Sequence, residues 1–199
     1  MRIEHRQFRF DIERTCQAVA GLLRQLPGHR MNYMRLLKLL YLVERKCLQE
    51  SGGPLTGSPV IAMERGPVLE DVFSLIRQSH PATPIWGKYF RSDRYELVMI
   101  DDPGNRRLTP FIVDTINAVA RMHEDHDEHD MVDISHTLPE WQKNDPGKSS
   151  RPIPLEDILE AIGKASELNK IVEFARQRAH GITPIQELPR TNSDVPASF

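Results

Sequence analysis

The sequence has few cysteines, few aromatic residues and almost no excess of charge. Its 199 residues include two cysteines and 7% aromatic side chains, and the formal net charge is −2. So few cysteines do not make a disulfide scaffold, and without a positive excess the chain lacks the phosphate-binding charge of dedicated nucleic-acid binders. No apolar run approaches the roughly 18 to 20 residues that cross a bilayer, and residues 1–10 are charged rather than signal-like. We therefore expect a soluble, cytoplasmic protein that does not bind DNA.

Recognisable catalytic motifs are also missing. The sequence contains no Gly-x-Ser-x-Gly elbow, no phosphate-cradling glycine loop and no dinucleotide fingerprint. Cys16 and Cys47 each lie on an apolar helical stripe, which favours packing over nucleophilic chemistry. We therefore predict a protein that is not an enzyme and needs no cofactor.

One segment leaves a catalytic alternative open. Residues 123–130, which begin with His123 and end with Asp130, contain three histidines and five carboxylates. Histidines at i and i+3, with a carboxylate, could hold a divalent metal ion. The order is not the His-Glu-x-x-His of zinc hydrolases, because His126 comes one residue too early. A solvated acidic linker needs fewer assumptions, so a metal-dependent hydrolase in phage defence stays the alternative.

The spacing of apolar residues predicts a mainly α domain with a small antiparallel β-sheet, an α+β fold. Asp11, Asn32 and Thr109 are placed to cap the helices that follow them. Predicted helices cover residues 12–26, 32–50, 67–79, 110–122, 132–137, 154–162 and 168–180, with a strand at 60–63 and a hairpin formed by 86–91 and 95–100. We expect residues 1–10 to form an arm, 11–180 the domain and 181–199 a flexible tail.

Gly66 and Pro67 mark the sharpest junction in the chain. They follow the predicted strand at 60–63 and precede a strongly patterned apolar segment. Glycine frees a turn from steric limits, and proline presets the φ of a first helical residue. The pair therefore predicts a turn from a strand into a helix that begins at Pro67.

The predicted helix at 32–50 carries leucines on one face and charged residues, among them Lys38 and Glu44, on the side that we assign to solvent. With the helix before it, this segment could form a DNA-binding helix-turn-helix. Glutamates interrupt its basic face, however. We therefore favour packing of both helices in an ordinary core.

Three short segments carry recognisable motifs. The first is a leucine-rich helix ending in Lys-Leu-Leu-Tyr, the second a Gly-Pro-Val step, and the third a Ser-His pair followed by Pro and Trp. Their residues are Lys38, Leu39, Leu40, Tyr41, Gly66, Pro67, Val68, Ser135, His136, Pro139 and Trp141. In this order the segments resemble the Panacea antitoxin family, and the resemblance extends over about residues 10–161. Many family members carry an aromatic residue just before the Gly-Pro step, where this chain has Glu64 and Arg65.

The resemblance implies a mainly helical domain with a small antiparallel sheet that serves as an antitoxin of a type II toxin–antitoxin system. Its partner is then a cognate protein toxin, encoded by the adjacent gene, and a protease if the antitoxin acts as an adaptor. Tyrosine, tryptophan and arginine dominate interface hot spots, so the family motifs supply the candidate binding residues. We predict partner binding by Tyr41, Arg65, Gly66, Pro67, His136 and Trp141.

Overall fold

The helices dominate the architecture. A computed structural model describes residues 8–179 of the chain. Within that part the helices are α1 Ile12–Leu23, α2 Tyr33–Ser51, α3 Glu70–Ile76, α4 Thr83–Trp86, α5 Pro110–Met122, α6 Glu128–His136, α7 Pro139–Lys143, α8 Leu155–Ala161 and α9 Leu168–Ala179. None of these helices is long and apolar enough to cross a membrane. The predicted tail at 181–199 lies outside the described residues.

In the described part of the chain, six short strands form two antiparallel sheets of three strands each. They are β1 Arg30–Asn32, β2 Val60–Met63, β3 Gly66–Leu69, β4 Phe90–Asp93, β5 Glu96–Met99 and β6 Ser150–Pro152. One sheet has the order β1-β5-β4 and the other β3-β2-β6. The predicted fold class, mainly α with a small antiparallel sheet, is therefore confirmed, although there are two sheets.

Helix α2 is the centre of the core. All of its leucines except the partly buried Leu42 are buried, and it packs against α1, α5, α6 and β3. The helix begins where predicted, because the side chain of Asn32 accepts a hydrogen bond from the amide of Met34 at 2.8 Å. It ends at Gly52, which adopts the left-handed conformation (φ 65°) that glycine tolerates best. Local capping and apolar spacing thus fix the element that organises the rest.

The other predicted caps are also confirmed. Asp11 accepts from the amide of Arg14 at 3.0 Å, and Thr109 accepts from the amide of Ile112 at 3.4 Å, directly before Pro110 in the first helical position. The first helix is shorter than predicted, since it ends at Leu23. Both cysteines are buried, and burial raises the pKa of each thiol to about 12, in agreement with a packing role.

The predicted helix start at Pro67 is wrong. Gly66 and Pro67 instead begin β3, which pairs with β2 through a two-residue turn, with Met63 opposite Gly66. Gly66 has a φ of 93°, a conformation that side chains of L-residues rarely adopt. The helix starts later, at Glu70, whose amide donates to the carbonyl of Pro59 at 2.8 Å. Pairing with β2 therefore overrides the local preference of proline for the first position of a helix.

Two charged residues assigned to solvent are buried in the core instead. Lys38 and Glu44 are each 2% exposed. The carboxylate of Glu44 accepts from the amides of Leu55 and Thr56, both at 2.9 Å, and from the Thr56 hydroxyl at 2.8 Å. Backbone donors from a distant loop thus replace water around this carboxylate, and burial still raises its pKa.

Several boundaries differ from the prediction. Trp86 belongs to the short helix α4 rather than to a strand, and the hairpin strands β4 and β5 are four residues each. The strand β6, in a segment expected to be a turn-rich loop, was not predicted. Helix α6 begins at Glu128, inside the expected linker, because Asp127 and Asp130 form a reciprocal capping box.

Candidate partner-binding site

The three segments that carry the family motifs meet in space. Helix α2 contacts β3 and α6, and α6 also contacts β3 and α7. The hairpin of β2 and β3 therefore stands against the end of α6 and the start of α7, with α2 beneath it. All six predicted binding residues lie on these elements or on the hairpin turn.

The turn between β2 and β3 is held from the side by an aromatic stack. The imidazole of His136 stacks on the indole of Trp141, with ring centroids 4.1 Å apart and an angle of 14° between the planes. The indole N–H of Trp141 donates to the carbonyl of Met63 at 3.1 Å, and Nε2 of His136 lies 3.1 Å from the carbonyl of Glu64. Since a carbonyl only accepts, Nε2 carries the proton in this bond. Both rings thus bond the backbone at the turn.

A buried polar cluster supports the start of α7. The hydroxyl of Tyr41 donates to Oε1 of Glu140 at 2.8 Å, and Nε of Arg45 donates to the same oxygen at 2.8 Å. The Glu140 side chain is fully buried, and its Oε2 receives no hydrogen bond from the described residues. Burial, followed by the charge of Glu140, raises the pKa of Tyr41 well above its usual value, so the hydroxyl remains a donor.

Lys38, in α2, forms a hydrogen bond to the backbone of β3. Its ammonium group donates to the carbonyl of Pro67 at 3.0 Å, and desolvation by burial lowers its pKa to about 7. Gly66 passes so close to this pair that a Cβ there would lie 3.0 Å from Nζ of Lys38 and would collide with Oγ of Ser135. The Gly-Pro step is therefore a close approach of the strand to α2 and α6, which only glycine permits.

Comparison with known protein families shows which family this chain belongs to. Residues 36–142 match the family described as Antitoxin SocA-like, Panacea domain, which is more than half of the 199-residue chain. The protein belongs to this family. Comparisons with curated proteins and with solved structures give no match. The resemblance drawn from the sequence motifs is confirmed.

The matched part of the Panacea domain contains the contacts of Lys38, Tyr41, His136 and Trp141 described above. It starts in α2, includes the hairpin of β2 and β3, and ends within α7. The elements that carry the three motifs are thus the elements that pack together around the hairpin. Asn144, just beyond the match, donates to the carbonyl of Glu140 at 2.9 Å and to Asp157 at 2.7 Å. These bonds fasten α7 of the Panacea domain to α8.

The six candidate residues of the Panacea domain divide into two groups by exposure. Arg65 is exposed at the tip of the turn and His136 is half-buried beside it. The other four are buried: Tyr41, Gly66, Pro67 and Trp141. The structure therefore brings the six together, with two at the surface and four beneath them.

Sequence reasoning did not place two charged residues in this site. Lys38 matches the family motif but was assigned to the solvent face, and Glu140 was not singled out, yet Lys38 bonds to Pro67 and Glu140 to Tyr41. One available signal was spacing, because Lys38, Tyr41 and Arg45 recur at i, i+3 and i+7 and so share one face of α2.

The histidine-rich segment, residues 123–130, connects α5 to α6 of the Panacea domain and includes the first residues of α6. Nδ1 of His123 and Nδ1 of His126 are 3.1 Å apart, and burial, followed by the charges of His126 and Arg35, lowers the pKa of His123. Arg35 donates to the carbonyl of His123 at 3.0 Å, which places a cation beside the pair. Within residues 8–179 no group of three or more His, Cys, Asp or Glu side chains could hold a metal ion.

Proposed function

We propose that this Panacea-domain protein is an antitoxin that neutralises a cognate protein toxin of a type II system by direct binding. The observation that carries the proposal is the family match over residues 36–142, which includes the hairpin and the helices that hold it. A toxin encoded by the adjacent gene is the expected partner.

The hairpin turn is the surface that we propose for toxin binding. Arg65 and His136 supply exposed contacts, while Tyr41, Gly66, Pro67 and Trp141 hold the turn in place. A turn that is already fixed loses little conformational freedom on binding, so more of the contact energy remains as affinity. The four buried residues therefore act by positioning, and their substitution should affect folding before it affects recognition.

Coexpression with the product of the adjacent gene tests the proposal. The toxin alone should arrest growth, and the unaltered antitoxin should restore growth and co-purify with the toxin. Toxicity that persists without any complex would reject neutralisation by binding.

A proteolytic adaptor differs from a simple blocker in one measurable way. An adaptor should shorten the half-life of the toxin in cells, whereas occlusion should leave the toxin intact in a stable complex. A pulse-chase measurement of toxin half-life, with and without the antitoxin, separates the two. The metal-dependent hydrolase alternative stays a hypothesis that no ligand group among residues 8–179 supports.

A further inference from the structure

Two histidines close the turn between α5 and α6. Nδ1 of His123 lies 3.1 Å from Nδ1 of His126, and the ring centroids are 5.2 Å apart. The backbone amide of His126 also donates to the carbonyl of His123 at 3.2 Å. A side-chain contact and a backbone bond thus hold the same turn closed.

The contact between the two rings depends on their protons. A neutral imidazole has one donor and one acceptor nitrogen, whereas a protonated ring has two donors. One Nδ1 must therefore donate and the other accept. A proton on the accepting Nδ1 would place two N–H groups against each other, so the contact exists only while the accepting ring is neutral.

The surroundings identify His123 as the acceptor. His123 is 9% exposed, whereas His126 is half-buried. Burial, followed by the charges of His126 and Arg35, lowers the pKa of His123 below its ordinary value of 6.5. His123 therefore stays neutral with its proton on Nε2, and Nδ1 of His126 donates to it.

The charged groups around the turn do not favour a proton on His123. Arg35, in α2, donates to the carbonyls of His123 and Glu124 at 3.0 Å and 3.1 Å, which places a cation beside the ring. No carboxylate among the described residues bonds either imidazole. The other charged residues of the turn and of the adjoining helix ends are Arg121, Asp125, Asp127, Glu128, His129 and Asp130.

We propose that His123 and His126 form an acid-sensitive latch that fixes the start of α6. The latch is closed while His123 is neutral, and a proton on Nδ1 of His123 opens it. Helix α6 packs against α2 and β3 and ends at His136, so an open latch loosens a helix that supports the hairpin turn. The inference is independent of the proposed antitoxin function, because its test needs this chain alone.

Nuclear magnetic resonance of the chelator-treated protein detects the latch directly. A scalar coupling between the two Nδ1 nuclei, transmitted through the hydrogen bond, should be present at pH 7.5 and should disappear as His123 takes up its proton. Chelator treatment ensures that no metal ion holds the two rings together. Absence of the coupling at pH 7.5 would overturn the inference.

The latch variant is His126→Ala, and the matched control is His129→Ala, which removes an exposed histidine from the same segment. In His126→Ala, His123 loses a hydrogen bond to its neutral form and a neighbouring cation. The midpoint of its titration should therefore rise by about 0.4 to 1 pH unit, whereas the control should leave it unchanged. An unchanged midpoint in the latch variant, or an equal rise in the control, would overturn the latch.

Amide hydrogen exchange measures the consequence for α6. At pH 7.5 the amide of Met131 should exchange about two- to tenfold faster in His126→Ala than in the parent, as expected from the loss of one hydrogen bond. At a pH below the midpoint of His123 the latch is open in both proteins, so the difference should vanish. Asp127 still caps α6 there, because bonds from the amides of Asp130 and His129 lower the pKa of its carboxyl. A difference that persists at acid pH, or none at pH 7.5, would contradict the latch.

Discussion

Replacement of Lys38 by methionine should change how the stability of the protein depends on pH. Lys38 is 2% exposed, and burial lowers its pKa from 10.5 to about 7. Because the folded pKa lies below the unfolded value, the unfolded chain binds more protons between these two pH values. Stability should therefore rise with pH across that window, and the lysine should be most costly below pH 7.

The magnitude follows from the two pKa values. Below pH 7 both states are protonated, and the full difference corresponds to about 5 kcal/mol against folding. At pH 9 the amine is neutral in the folded protein but still protonated in the unfolded chain. Folding must therefore remove this proton, which lowers the free energy of unfolding by about 2 kcal/mol. Methionine removes this dependence and loses the bond to Pro67, a loss of about 1 to 3 kcal/mol that does not vary with pH.

Urea unfolding of the parent and Lys38→Met at pH 6 and pH 9 measures the difference. Relative to the parent, the variant should be more stable at pH 6 than at pH 9 by about 3 kcal/mol. Other titrating groups, including Glu44, are common to both proteins and cancel. Lys46→Met, on the exposed side of the same helix, is the control, and its effect should be the same at both pH values.

Parallel pH profiles for the parent and Lys38→Met would refute the reasoning. They would mean that the pKa of the amine is the same in the folded and unfolded chains, and therefore that burial beside Pro67 does not desolvate the amine. A steeper profile in the variant would refute it as well, because the sign would be reversed.

Three further predictions concern the same core. Gly66→Ala should lower the free energy of unfolding by at least about 2 kcal/mol, because its φ of 93° and the neighbouring Ser135 leave no room for Cβ. The control Gly147→Ala, at φ 60° in open space, should lower it less. Equal losses would contradict the packing explanation. Tyr41→Phe should destabilise by about 1 to 2 kcal/mol through the lost bond at Glu140, whereas Tyr95→Phe, 71% exposed, should be nearly neutral. Both cysteines, with pKa values near 12, should react with a thiol reagent only after unfolding; rapid reaction of the native protein would contradict their burial.

The sequence was sufficient where the deciding interaction is local. The caps at Asp11, Asn32 and Thr109 could be predicted because each side chain bonds an amide two or three residues along the chain. The buried face of α2 could be predicted because leucines at three- and four-residue spacing must share one side. These features set the fold class and the central helix.

Long-range pairing explains what could not be predicted. The Gly66-Pro67 step is compatible locally with a helix start, and only the presence of β2 makes it a strand. Strand β6 has three residues and ends in Pro152, so it has no recognisable pattern of its own and exists through its pairing with β2.

The six candidate residues could be named from the sequence, but which of them lie at the surface could not. The order of the motifs correctly indicated that Tyr41, the Gly-Pro step and Trp141 belong together, yet nothing local distinguished exposed members from buried ones. That division comes from polar partners far away in sequence. The hydroxyl of Tyr41 can be buried because Glu140 accepts its hydrogen bond, and the indole N–H of Trp141 because the carbonyl of Met63 accepts its hydrogen bond.

Buried charged residues connect the core beneath the hairpin to its exposed tip, and the sequence motifs do not show this connection. Lys38 and Glu140 are costly to bury, and each bonds a residue that fixes the hairpin or the helix beside it. Removing either partner would leave an unpaired polar group under the turn, so the turn geometry is tied to these bonds. Arg65 makes no such bond among residues 8–179, so a different residue there would not disturb the described core. Substitutions of Arg65 at the tip of the turn are thus expected to change partner specificity. Substitutions of Lys38 or Glu140 beneath the turn are expected to impair folding.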